Sequence, residues 1–156
     1  SKLSEQIEVI ELPAITPNHL LTCMNNNTAK VEPDQMYEQV ISLIKNKGFD
    51  LVFIDPMHYT TSAAENDNNM QGQHIRHITN IAECTGAAIF CFAHTTDENP
   101  LRIRGATSIA DRARSVFKVA TVDRLRASSN KTCNAMAKSI IKQLPDIKNF
   151  KKYLVN

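Results

Sequence analysis

The sequence has only four glycines, Gly48, Gly72, Gly86 and Gly105, and none is followed by lysine. The phosphate-binding loop G-x-x-x-x-G-K-[ST] therefore cannot be written anywhere along it. Cysteine is equally sparse. Cys23, Cys84, Cys91 and Cys133 form no C-x-x-C pair. That excludes a zinc module and a secreted disulfide framework, and makes a reduced, cytoplasmic protein the expectation. H-E-x-x-H is absent. No apolar run reaches the roughly 18 residues that span a bilayer, and no charged-then-apolar leader opens the chain, so no membrane association is expected.

What is present fits one globular domain. A chain of 156 residues with 42% hydrophobic and 22% charged residues can bury a real core. The net charge of +2 conceals an asymmetry: residues 1–100 carry 5 Lys/Arg against 13 Asp/Glu, residues 101–156 carry 13 against 3. A basic end of this strength points to a polyanion or to an acidic neighbouring subunit. For Lys148, Lys151 and Lys152 a solvated tail is the simpler reading.

Apolar patterning gives the organisation. "EQIEVIELP" reads as a short strand near 7–12, stopped by Pro13, and "TPNHLLTCMNNNTAK" as a connector turning at Asn25, Asn26 and Asn27. "EPDQMYEQVISLIKNKG" places Met36, Val40, Leu43 and Ile44 at helical spacing and closes on Gly48. Asp50–Ile54 is then a strand, residues 58–69 a polar loop, and "MQGQHIRHITNIAECTG" a helix presenting Met70, His74, Ile78 and Ile81 and stopping at Gly86. "AAIFCFAH" reads as a second strand, "ATSIADRARS" as a short helix and "VFKVATV" as a third strand, with a strand or helix over 135–143. Continuous rather than alternating apolar strands predict an α/β fold with a mostly parallel sheet, helices on both faces. Ligands bind outside the carboxyl ends of such strands. Asp55 and His94 stand at those ends, which explains how an apolar run can finish on a charge.

Each strand end admits a chemistry and a plainer alternative. A hydrophobic strand ending in Asp is the general form of a Walker B element, whose carboxylate holds Mg²⁺ through water; the alternative is an Asp capping a turn beside Pro56. His94, at the end of the next strand, could touch a γ-phosphate or its attacking water; the alternative is a hydrogen-bonded loop histidine. Arg102, Arg104, Arg112 and Arg114 surround Gly105, and Arg114 lies near the end of the short helix, where it could reach a phosphate in an adjacent subunit. His74 and His77 form H-x-x-H, and Asp55 with His58 forms D-x-x-H; a metal-dependent hydrolase using Asp55, His58 and His94 ranks below nucleotide binding, for want of a third ligand at motif spacing.

"DLVFIDPMHYTTSAAENDNNM", "IAECTGAAIFCFAHTT" and "RGATSIADRARSVFKV" together resemble the RepA-type, RecA-like P-loop ATPases, a family of hexameric replicative helicases of plasmids and phages, over roughly residues 7–122. The resemblance implies a RecA-like core that binds ATP and Mg²⁺ and hydrolyses ATP at the subunit interfaces of a homo-oligomeric, hexameric ring acting on single-stranded DNA. Asp55 would be the Walker B aspartate and His94 the strand-end sensor near the γ-phosphate. Glu65, Asn66, Asp67 and Met70 would open the helix after a mobile loop. Arg104 and Gly105 would begin the helix carrying Asp111, and Arg114 would be the arginine finger acting in trans. Lys138 would match a late-strand lysine in the nucleotide site. DNA would contact the loops 57–69 and 95–103, through Tyr59 and Arg102. The family often has two histidines at the strand end followed by a lysine, where this chain has Ala93-His94 and then Asp97.

In that family the phosphate loop, its helix and a strand with a catalytic glutamate come first in the chain. With Ser1 in place of Met, the expectation is a single domain over 1–156, the C-terminal part of a longer ATPase, its N-terminal phosphate-loop unit missing and the chain inactive alone. Residues 123–156 would be a basic extension. The alternative is a naturally truncated, non-catalytic binding or assembly subunit.

Overall fold

The computed structural model describes residues 7–9 and 20–143. The expected strand at 7–12 shows no regular structure at 7–9, and its remainder lies outside the described residues, as do Pro13 and the tail bearing Lys148, Lys151 and Lys152.

The connector holds more order than turn chemistry implied. Strands β1 (Thr22–Asn25) and β2 (Lys30–Pro33) pair antiparallel, Thr22 opposite Pro33 and Asn25 opposite Lys30. Asn25 makes the reversal: its Oδ1 accepts the amides of Asn27 at 3.0 Å and Thr28 at 3.3 Å, an Asx turn that satisfies two loop donors locally. Strands of four residues are too short to show a period, so only the turn was readable.

Helix α1 (Gln35–Lys47) starts at Asp34, whose side chain accepts the Gln35 amide, and stops at Gly48 as expected. Its buried residues are Tyr37, Ile41 and Ile44. Helix α2 (Asn68–Thr85) is capped by Asp67, whose Oδ1 accepts the Met70 amide at 2.9 Å, and ends at Gly86. Strands β3 (Leu51–Ile54) and β4 (Ala88–Cys91) flank α2 in sequence and pair parallel, Leu51 opposite Ala88 and Ile54 opposite Cys91. A β-α-β unit of this kind is what the alternation of apolar segments predicted.

The sheet departs from expectation in its cover. Val52, Ile54 and Ile89 pack on Tyr37, Ile41, Ile44 and Ile81, while Ile89 and Cys91 pack on Met57, Ile75, Ile78 and Ile109. All four sheet residues share one face, because side chains alternate along a strand. The opposite face carries Leu51, Phe53, Phe90 and Phe92 at 47%, 58%, 43% and 51% exposure. Helices therefore cover one face of the sheet among the described residues, not two. The apolar runs were continuous because they serve two faces, and the described chain supplies helices for only one.

The third strand is also corrected. Residues 113–121 form no ladder, and Val116, Phe117 and Val119 are exposed. The β-branched composition is right for a strand, yet no described strand lies beside the segment to take its hydrogen bonds. Helix α3 (Ser108–Arg112) precedes it; helices α4 (Val122–Ala127) and α5 (Lys131–Gln143) follow, so the ambiguous 135–143 region is helical. Leu125, Cys133 and Ala137 make a separate small core with Leu101, Ala120, Val122 and Ile140. No helix among the described residues is long and apolar enough to cross a membrane.

Candidate nucleotide site at the strand ends

Proline ends the β3 ladder. Phe92 donates its amide to the Ile54 carbonyl at 2.9 Å, and the next donor from the β3 side should come from residue 56. Residue 56 is Pro56, which has no N–H. Met57 takes its place, donating to the Phe92 carbonyl at 2.9 Å. The chain is thereby turned off the sheet immediately after Asp55, into a single 3-10 turn over Met57–Thr60. Asp55 is left exposed at the end of β3, on the uncovered face that carries Leu51 and Phe53. His94 continues β4 two residues past Phe92 and is likewise exposed. Strand period alone puts the carboxylate and the imidazole on the same open side of the sheet.

Between them rises a rim of rings. His58 lies 5.2 Å from His94 and 4.1 Å from Tyr59, centroid to centroid. Tyr59 is 72% exposed, so its ring is free to stack on a flat ligand. Arg104 enters through the backbone: its amide donates to the His94 carbonyl at 2.8 Å, one step from the bridge between Thr95 and Ile103. Met57, His58, Glu65, Gln71, His94 and Arg104 surround a shallow depression too slight to enclose a nucleotide, so a ligand of that size would lie across the rim. Gly105 is required here. Its φ is +87°, and a Cβ on it would stand 2.6 Å from the Glu65 carbonyl oxygen, which accepts the Ala106 amide at 2.9 Å. Glu65 and Arg104 are brought to the depression by that close approach.

The other expected residues are dispersed. Arg102 is exposed in the 95–103 loop, where its carbonyl accepts the Thr96 amide at 3.0 Å. Arg114 is exposed just beyond the end of α3 and lines no part of the depression. Lys138 stands on the exposed side of α5, and it too is absent from the depression's lining. His74 and His77 are not metal ligands in waiting. His74 is fully buried, with Nδ1 2.8 Å from Thr22 Oγ1 and Nε2 3.2 Å from Thr60 Oγ1, and His77 Nε2 donates to the Val31 carbonyl at 3.0 Å. Among the described residues no three His, Cys, Asp or Glu side chains converge as a metal site. A hydrolase that holds its metal directly through Asp55, His58 and His94 finds no support in that geometry.

Sequence reasoning overlooked two features of the site. His58 was weighed only as a metal ligand, though it sits at the centre of the ring cluster. Glu65 was placed at a helix start, although it faces the depression from the loop. Neither has a sequence signal, because both are brought in by long-range contacts.

The model of a family described as AAA domain matches residues 8–100, more than half of the chain. No curated protein and no solved structure matches it.

Proposed function

The chain belongs to the AAA domain family, a family of ATPase-type function, and on that premise we propose that it is the Walker-B-bearing part of a RepA-type, RecA-like DNA helicase ATPase. A phosphate-loop unit, in the same polypeptide or another, completes it by packing on the uncovered face of β3 and β4. One observation carries this reading: an apolar sheet face without cover among the described residues, with Asp55 and His94 both exposed just past its strand ends. The absence of G-x-x-x-x-G-K-[ST] supports it, since the phosphates need a cradle this chain does not encode.

The residues present fit Mg²⁺–ATP in a particular way. A lone exposed carboxylate suits Mg²⁺, which keeps its waters and takes one or two carboxylates together with substrate phosphates. Bound there, the ion would offset charge on the phosphate oxygens. Asp55 would hold the ion through its water shell, His94 would meet the phosphate oxygens, and Arg104 would add positive charge at the rim. Arg114, exposed and without an ion pair among the described residues, serves the site of a neighbouring copy in a hexameric ring, as arginine fingers do. Tyr59 and Arg102 offer a stacking ring and a cation to single-stranded DNA. Lys138 acts in the nucleotide site only if α5 is moved toward the strand ends by assembly. A second reading rests on the same bare face: a non-catalytic assembly subunit that docks there and lends Arg114 without a site of its own.

The deciding test measures MgATP hydrolysis by the chain alone and with a phosphate-loop unit supplied, either joined to it in one polypeptide or added as a second one. Turnover is expected only in the combination, and Asp55→Ala should lower it at least 100-fold, about 2.7 kcal/mol in the barrier. Hydrolysis by the chain alone, indifferent to Asp55→Ala, would sink the proposal. Turnover that survives Asp55→Ala in the combination but fails with Arg114→Ala would favour the assembly subunit.

A further inference from the structure

His74 is the most buried titratable side chain with no part in the chemistry above. It is fully buried on α2 and is a member of none of the three apolar clusters. Its two ring nitrogens reach two different pieces of chain. Nε2 is 3.2 Å from the hydroxyl of Thr60, the last residue of the turn that carries His58 and Tyr59. Nδ1 is 2.8 Å from the hydroxyl of Thr22, the first residue of β1.

Counting hydrogens assigns the ring. Thr60 has one hydroxyl hydrogen, and it goes to the Met57 carbonyl at 2.6 Å. Toward Nε2 the Thr60 oxygen can therefore only accept, so Nε2 carries the hydrogen. Burial without a facing carboxylate keeps the ring neutral, so Nδ1 is bare and takes the hydrogen of Thr22. Thr22 has one hydroxyl hydrogen and two neighbours, Nδ1 at 2.8 Å and the Thr61 hydroxyl at 2.9 Å. With Nδ1 bare the hydrogen goes to the ring and Thr61 donates to Thr22 Oγ1, while the Thr61 oxygen accepts the Ala63 amide at 3.1 Å. Both ends of the ring are used, each in a role the other could not fill.

The backbone follows the same path. Leu21 donates its amide to the Thr60 carbonyl at 2.9 Å, Ser62 donates to the Thr22 carbonyl at 3.3 Å, and Met24 donates to Ser62 Oγ at 2.7 Å. The hairpin in turn is fixed to α2: Gln73 Oε1 accepts the Val31 amide and His77 donates to the Val31 carbonyl, each at 3.0 Å. The strand-end loop is thus clamped between hairpin and helix, with the His74 side chain bonding both the loop and β1.

We propose that His74 is a positioning residue: a neutral, Nε2-protonated latch that ties Thr60 to Thr22 and so fixes the His58–Tyr59 rim relative to the β1–β2 hairpin. Displacement of the hairpin by a partner is then transmitted to the strand-end rim through the imidazole alongside the direct bonds between β1 and the loop. The latch depends on this loop geometry and stands whether or not the rim binds a nucleotide.

The experiment uses nuclear magnetic resonance on the chain as it is. Long-range proton–nitrogen correlation at neutral pH is expected to show His74 protonated at Nε2 alone; an Nδ1–H tautomer would overturn the assignment. His74→Gln retains a donor near Nε2 and His74→Asn an acceptor near Nδ1, so each severs one end of the bridge. In both, the Leu21 and Ser62 amides should exchange at least ten times faster and the His58 ring resonances should move, while the Phe92 amide of the sheet keeps its rate. Thr22→Val cuts the same bridge with His74 in place and should do likewise. Equal acceleration at Phe92 would mean an ordinary core histidine, and unchanged rates at Leu21 and Ser62 would mean no latch; either overturns the proposal.

Discussion

The two faces of the β3–β4 sheet are built from the same kinds of residue and meet opposite fates. Val52, Ile54, Ile89 and Cys91 are packed under α1, α2 and α3, while Leu51, Phe53, Phe90 and Phe92 look outward. Water does not distinguish the two sets; only the available cover does. A chain that places three phenylalanines on an open face, with rings 5.6 and 6.1 Å apart, has the composition of a second interior. No lysine or arginine interrupts that face along β3 or β4, so an apolar protein surface suits it better than a nucleic acid, which would need phosphate contacts as well as stacking. Asp55 and His94 lie at the margin of the open face, which ties the chemistry proposed for them to whatever closes it.

The largest expected effect is on the covered side. Ile81 is 1% exposed and joins α2 to the α1–sheet cluster. Ile81→Ala removes buried methyl groups and leaves a cavity, and should cost about 2–5 kcal/mol in urea or thermal unfolding. A loss well under that range would mean the covered side is not the folding core.

Acid acts on the same side at a different kind of site. Burial lowers the pKa of His74 from 6.5 to about 4, with His77 adding a smaller push in the same direction. Between those values the unfolded chain binds a proton that the folded chain refuses. Stability is therefore complete above about pH 6.5, falls as pH drops toward 4, and levels off below. The integrated loss is about 3 kcal/mol. A denaturant-midpoint titration from pH 7 to pH 4, compared with His74→Gln, isolates it: the variant should lose most of the slope in that window.

These contrasts also explain what could be read from sequence. Helices α1 and α2 were legible almost to their ends, because thirteen and eighteen residues give several turns of period and carry acidic caps and closing glycines. Asp55 and His94 were found at strand ends because strand exit is a local property of an apolar run. The bare face was not legible: an apolar residue reads alike whether its partner lies in the same chain or elsewhere. For the same reason Val116, Phe117 and Val119 suggested a strand that has nothing to pair with among the described residues. The His74 bridge was hidden differently. Its face on α2 was identified, but its partners Thr22 and Thr60 lie 52 and 14 residues away, and a threonine hydroxyl carries no sign in the sequence of what it will meet.

The smallest effect tests the open face itself. Phe53→Ser removes a ring that is 58% exposed and touches only Phe90 and Phe92 among aromatic neighbours. Little apolar area leaves a dry environment, and loss of the ring contacts amounts to about 0.5–1.5 kcal/mol. The unfolding midpoint of the chain should therefore move far less than for Ile81→Ala. Association should respond in the opposite order. If the face is an interior awaiting its second layer, serine there places a hydroxyl where a helix or strand would bury it unpaired, at about 1–3 kcal/mol. Binding to a phosphate-loop unit supplied separately, measured by calorimetry, should weaken roughly 5- to 150-fold while the fold is retained. Should Phe53→Ser cost as much stability as Ile81→Ala, the face is already part of the core. Should it alter neither stability nor binding, the open face is not where the missing layer docks.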